Sequence, residues 1–286
     1  MDQKTSPRNL SKLSEKYLSA EHWDELYQSR NQTHSSAGKM VTDSVARTVD
    51  RLLERDATDA TLRIVDVAAG AGELVHTISA PGRLIVAADI SHVGMLCAKA
   101  RQSGPADYMV MDASRLSLCK ASLDMVTCVR SIWTFPDVSR CLYEFRRVLR
   151  PGGLLLVQIW GAPRECRMIT VGAAVLSHYL KELRRPKDVR GPFDFTPESF
   201  RQLVAEAGFH SFQSVEYREH VAVNDVDHYW NEFAHIAETA FVFFSWQPDG
   251  LRERISRHLE SIFEKLRGED ESLTLSLTWH ICVARA

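Results

Sequence analysis

Between Leu62 and Gln158 the chain alternates short apolar segments with segments of helical character, and this alternation restricts the fold more than any other feature. The apolar segments are LRIVDVA (62–68), RLIVAAD (83–89), DYMVM (107–111), DMVTCV (124–129) and GLLLVQI (153–159). Each is β-branched or apolar almost throughout, as strands covered on both faces must be. Helical stretches at 72–79, 92–102 and 137–149 fall between them. Parallel neighbours need such crossovers, so repeated βαβ units predict an α/β fold with a doubly wound, mostly parallel sheet.

The flanking segments extend that plan. Leu10, Leu13, Tyr17 and Leu18 recur at helical spacing, and a second helical stretch carries Trp23, Leu26 and Tyr27. Two readings of these helices stand side by side: a face packed on its own core, or a lid or arm exchanged with a neighbouring subunit. The second would make the protein a homo-oligomer through its amino-terminal helices. Beyond residue 160, the stretch 168–185 reads as a helix, and Thr196 and Pro197 read as the N-cap and first residue of another. FQSVEYR (212–218) and LTLSLTWHICVARA (273–286) complete a seven-stranded sheet, and 225–267 reads as two helices rich in aromatic residues. The expected division is an amino-terminal lid over 1–40, a ligand-binding core over 41–160, and the rest of the sheet over 161–286 with a substrate cap at 225–267.

Composition narrows the partners. Lys and Arg total 35 against 37 Asp and Glu, a net charge of −2, which offers no footprint for nucleic acid or an anionic membrane. The six cysteines include no CxxC pair and the histidines no HExxH, so no metal is expected. The amino terminus lacks the apolar core of a signal peptide. The longest apolar runs, GLLLV (153–157) and AFVFF (240–244), are too short to span a bilayer. A reduced, cytoplasmic protein without a membrane span is expected.

The most informative residues are VDVAAGAGELV (65–75), which leave the first strand and open the first helix. Gly70 and Gly72 let the backbone turn tightly and lie against a ligand, which would meet free amides at the helix start. Three acids accompany them: Asp66 inside the first strand, Asp89 ending the second and Asp112 ending the third. Asp89 lies 17 residues beyond Gly72, where a carboxylate accepts both hydroxyls of a ribose. Asp112 is placed to accept an exocyclic amino group of adenine, or to hold a turn. Asp66, a carboxylate in a buried strand, is costly unless it meets backbone amides or a cationic ligand group.

With these residues the sequence resembles the class I S-adenosylmethionine-dependent methyltransferases, and within them the branch of the ubiquinone and menaquinone biosynthesis C-methyltransferases. VDVAAGAGEL is similar to that branch's D-x-A-x-G-T-G-D/E loop, with Ala71 in place of threonine. The resemblance continues through AADISHVGML (87–96), MDA (111–113), LDMVTCVRSIWTFPD (123–137) and RRVLRPGGLLLV (146–157). It covers residues 40–160 well and the remainder poorly. Many other class I members have glycine where this chain has Ala68.

The resemblance implies S-adenosyl-L-methionine as cofactor. It implies that Asp66 braces the loop near the methionine end, that Ala68, Gly70 and Gly72 approach the cofactor, and that Asp89 holds the ribose. Ile90 and Met95 would pack on adenine, and Asp112 and the Ala113 amide would take its amino group. Val129 and Arg130 would lie below the cofactor, with Arg130 on the methionine carboxylate or paired with an acid. Tyr27 would close over the site, and Trp133 would face both cofactor and acceptor.

The expected acceptor is a hydrophobic small molecule, aromatic or isoprenoid, of specialised or quinone-like biosynthesis, with C-methylation favoured and O- or N-methylation the alternative. That expectation rests on the placing of Tyr17, Trp23, Trp133 and Phe135, and of Phe193, Phe195, Tyr229, Trp230 and Phe233 in the second half. Two rivals are a nicotinamide-dependent oxidoreductase and a non-catalytic cofactor-binding module. Against the first, Glu73, Leu74 and Val75 follow Gly72 where a dinucleotide loop needs a third glycine. No histidine or acid is marked as a general base.

Overall fold

The computed structural model describes residues 19–29, 35–55, 61–101, 104–180, 190–268 and 272–286. In chain order the elements are α1 (Ala20–Ser29), α2 (Ser36–Arg55), β1 (Leu62–Val67), α3 (Glu73–Ile78), β2 (Arg83–Asp89), α4 (His92–Ala100), β3 (Asp107–Val110) and β4 (Leu123–Cys128). There follow α5 (Val138–Val148), β5 (Leu149–Trp160), α6 (Arg167–Tyr179), α7 (Pro197–Glu206), β6 (His210–Ala222), α8 (Val226–Ile236), α9 (Glu238–Ser245), α10 (Asp249–Leu266) and β7 (Thr274–Arg285). All seven strands join one sheet in the order β3-β2-β1-β4-β5-β7-β6. Strands β1 to β5 pair in parallel, and β7 runs antiparallel between β5 and β6. The winding reverses between β1 and β4, which opens a crevice at the carboxyl ends of the strands.

Side-chain alternation decides which helices cover which face. On β5, Leu154, Leu156 and Trp160 join a core built with α2, α3, α4, α6 and α8 to α10. Their neighbours Leu155, Val157 and Ile159 pack with α5 and α7. No helix among the described residues is long and apolar enough to cross a membrane.

Two elements differ from expectation. Helix α2 is absent from the sequence reading, and the expected boundary at residue 40 falls inside it. Its Ala37, Val41, Val45, Val49 and Leu53 are all buried. Its amino terminus is held from far along the chain by Glu232 of α8. That carboxylate accepts from the Ser35 hydroxyl at 2.8 Å, the Ser36 amide at 2.9 Å and the Ala37 amide at 2.7 Å. Burial alone would raise the Glu232 pKa, but these donors bring it below the ordinary carboxylate range. The second difference is that 225–267 folds as three helices rather than two, breaking at Ala237 and between Trp246 and Pro248.

Candidate active site

A cavity of about 330 Å³ opens at the carboxyl ends of β1 to β4, at the crevice where the winding reverses. Each strand end contributes to its wall: Val67 and Ala68, Asp89 and Ile90, Met111 to Ser114, and Val129 to Ser131. Trp23 and Tyr27 of α1 and Glu238 of α9 line it from outside the sheet. The loop after β1 is compact because Ala68, Gly70 and Gly72 all take left-handed backbone angles, φ +55°, +57° and +76°. A Cβ at Gly70 would strike the Tyr27 hydroxyl, so the bare backbone there is a cradle under α1. Gly72 instead turns inward, where a Cβ would press on Ala98 of α4.

Asp89 is 6% exposed and lies in the cavity wall. One carboxylate oxygen accepts the Gly70 amide at 2.8 Å and the other the Ser91 amide at 2.8 Å. Each oxygen retains capacity for a further donor, such as a ligand hydroxyl. Burial pushes its pKa to about 6; the two amides oppose that shift and the Glu238 charge adds to it. Asp112, exposed at the cavity edge, accepts the Ser114 amide at 2.7 Å through one oxygen, so it holds the turn. Helix α1 is docked by Asp24, which accepts from the Ser91 hydroxyl at 2.6 Å and the Val93 amide at 3.0 Å at the start of α4.

Arg130, two residues beyond β4, takes a left-handed conformation, φ +57°. Its amide donates to Gln158 Oε1 at 2.9 Å, and its guanidinium donates to the His235 carbonyl at 2.7 Å and pairs with Glu73. One side chain thereby joins the helix after the glycine loop to the end of α8. Of the two roles expected for Arg130, the structure shows the pairing with an acid.

Several expected contacts are corrected. Asp66 lies behind the wall, 3% exposed, and accepts from the Thr127 hydroxyl at 2.7 Å rather than from loop amides. Burial raises its pKa to about 7. Met95 is a core residue on the buried face of α4. The aromatic residues expected around the acceptor are mostly core as well. Tyr229 is fully buried, accepting the Gly172 amide at 2.7 Å and donating to the Met168 carbonyl at 3.0 Å. Phe233 stacks on Tyr229, and Trp230 stacks on Phe244 with its indole N–H on Ser256. Phe195 packs edge-on to Phe200, Phe193 packs against the larger core, and Trp133 lies against Trp160. For Tyr229, Trp230 and Phe233 the cause is that α8 had to bury a face against its neighbours. Of the expected aromatic residues that are described, Trp23, Tyr27 and Phe135 line the cavity. Tyr17, with Leu10 and Leu13, lies outside the described residues.

The sequence reading missed Glu73 and Glu238. Glu73 was legible as the acid opening a helix; nothing local marks Glu238. With them the wall holds five carboxylates (Glu73, Asp89, Asp112, Asp137, Glu238) against two guanidiniums (Arg130, Arg140). An acid excess suits a ligand carrying a sulfonium and an ammonium and repels a pyrophosphate, which weighs against a dinucleotide. Among the described residues no group of three or more side chains could hold a metal ion.

Comparison with known proteins agrees with this geometry. The profile of a family described as a methyltransferase domain matches residues 65–157. The ubiquinone/menaquinone biosynthesis C-methyltransferase of Rubrivivax gelatinosus is 27% identical over 178 residues, 56% of this chain and 68% of that protein. The ubiquinone biosynthesis O-methyltransferase of Rhizobium rhizogenes is 28% identical over 142 residues, 46% of this chain, and the match spans 57% of its own length. A solved structure of Haemonchus contortus phosphoethanolamine N-methyltransferase 2 with S-adenosyl-L-methionine shares the fold, with TM-score 0.52 at 14% identity over 99% of this chain and 60% of that one.

Proposed function

We propose that this chain, an S-adenosylmethionine-dependent methyltransferase by its matched domain at residues 65–157 and its relatives, methylates a small, largely apolar acceptor. The observation that carries the reading is Asp89, ionisable and amide-held, in a cavity at the reversal point of the sheet. The residues present fit the cofactor. Asp89 would hold the ribose hydroxyls, the bare backbone at Gly70 would lie along the ligand, and Asp112 with the Ala113 amide would meet the adenine edge. Ile90, Met111 and Phe135 provide apolar wall, and the acid excess favours the positive groups.

S-adenosylmethionine supplies a methyl group on a positively charged sulfur, which an electron-rich carbon or oxygen takes in line. The protein's own part is placement and shielding. Trp23 and Tyr27 would cover the site, so that the loaded cavity is closed to water. The Arg130 bridge would hold the strand end, the glycine-loop helix and α8 in one arrangement.

The acceptor is proposed as aromatic or isoprenoid, with carbon favoured as the methylated atom. Its support is the apolar wall and the similarity to a quinone-pathway C-methyltransferase. Oxygen methylation is the second reading, favoured by similarity to an O-methyltransferase of comparable strength. The proposed organisation remains a lid near the amino terminus, a cofactor core and a carboxyl-terminal half that completes the acceptor side. A panel of radiolabelled-methyl assays tests the proposal: label should enter phenols, hydroquinones or prenylated rings. Transfer only to amines, nucleic acid or protein would refute the acceptor class.

A further inference from the structure

Two hydrogen-bond donors at the end of β5, Gln158 Nε2 and Trp160 Nε1, meet no acceptor among the described residues. Both side chains are 0% exposed. Two positions apart on one strand, they share a face with Leu154 and Leu156, under the helices of the larger core. A buried donor without an acceptor costs more than an average hydrogen bond contributes, and native proteins keep few of them. Packing does not require the two donors: an apolar ring at 160 would continue the row, and the Gln158 oxygen alone serves the Arg130 amide.

Their surroundings connect them to the cavity. Gln158 Oε1 accepts the Arg130 amide at 2.9 Å, which fixes the side-chain amide so that its NH2 is the end left without a partner. Val129 and Arg130 are cavity wall. The Trp160 ring lies 6.2 Å from that of Trp133, in the turn whose flanking Ser131 and Thr134 line the same cavity.

We infer that Gln158 and Trp160 form an acceptor subsite that donates two hydrogen bonds to an oxygen of the methyl acceptor, a carbonyl or a phenol. The inference rests on the cavity being the methyl-transfer site and names the handle by which the acceptor is held. Both groups are neutral N–H donors, so an ammonium finds nothing to bind there. A carboxylate or phosphate would call for a guanidinium, and Arg130 is engaged with Glu73. Neither side chain lines the cavity as it stands, and the wall residues Val129 and Arg130 lie between the subsite and the site, so the subsite opens as the acceptor binds.

The test uses the full-length protein saturated with S-adenosylhomocysteine and two probes, 1-naphthol and its oxygen-free counterpart naphthalene, compared by equilibrium dialysis. The wild type should hold 1-naphthol at least tenfold more tightly. Trp160→Phe removes one donor; Gln158→Glu removes the other while keeping an oxygen for the Arg130 amide. Each should reduce the preference to below threefold with S-adenosylhomocysteine affinity unchanged. Equal binding of the probes by the wild type, binding of neither, or an undiminished preference in both variants would overturn the inference. Unfolding of both variants would assign the two side chains to the fold instead. Failure of the wild type to bind S-adenosylhomocysteine would overturn the reading of the cavity itself.

Discussion

Asp89 serves the loop and the ligand with the same two oxygens, and its raised pKa makes that service depend on pH. Hydroxyl donors are held by the carboxylate form, so affinity for S-adenosylhomocysteine should fall as pH drops through about 6. Asp89→Asn should bind at least tenfold more weakly at pH 8, about 1.4 kcal/mol, and show a flat pH profile by calorimetry. Asp66 gives a stability effect of opposite use. Its folded pKa of about 7 exceeds that of the unfolded chain, so its ionised form weakens the fold above pH 7, and the penalty fades as pH falls below 7. Asp66→Asn keeps an oxygen for Thr127 and should raise the melting temperature at pH 8, with the gain vanishing near pH 4. Ala68 pays a conformational cost at φ +55° that glycine would not. Ala68→Gly should therefore stabilise the protein by about 0.5 kcal/mol or more in denaturant melts, despite the greater freedom of glycine in the unfolded chain.

At the scale of elements, helices are fixed by side chains that come from elsewhere in the sequence. Helix α2 needs acceptors for its first amides, and Glu232 provides them from α8 across almost two hundred residues. In Glu232→Gln one carboxamide end faces a backbone N–H with its own N–H, so a buried donor loses its partner. The expected cost is about 2 kcal/mol, or a melting temperature lower by roughly 4–8 °C. Since its pKa is held down, the contribution of Glu232 should also fade as pH falls below the ordinary carboxylate range.

For the whole molecule, the cavity is a composite of the sheet's strand ends, α1 and α9, and only the first of these lies in the matched domain. Helix α1 buries Leu26 and His22 outside the two cores that flank the sheet, and it covers the glycine loop with Tyr27. Replacing Trp23 and Tyr27 together by alanine should weaken S-adenosylhomocysteine binding at least tenfold. The melting temperature should fall by only a few degrees, because both side chains are half-buried at the cavity rather than in the core. Hydrogen exchange across Ala20–Ser29 should slow on cofactor binding in the wild type and not in this variant.

The βαβ alternation, the glycine loop and the acid ending β2 were legible in the sequence because each depends on local periodicity or turn chemistry. The four-residue recurrence from Ala37 to Leu53 is equally local, so α2 too is written in the sequence. What the sequence by itself could not decide was which apolar and charged side chains meet. Tyr229, Trp230 and Phe233 have the same local pattern whether they line a pocket or fill a core, and only the packing of α8 on its neighbours assigned them to the core. Glu238, the Glu73–Arg130–His235 bridge and the donors of Gln158 and Trp160 that meet no acceptor among the described residues are likewise products of distant segments brought together. Hydrogen bonding and burial depend on contacts in space, and those were decided when the sheet closed and the helices chose its faces.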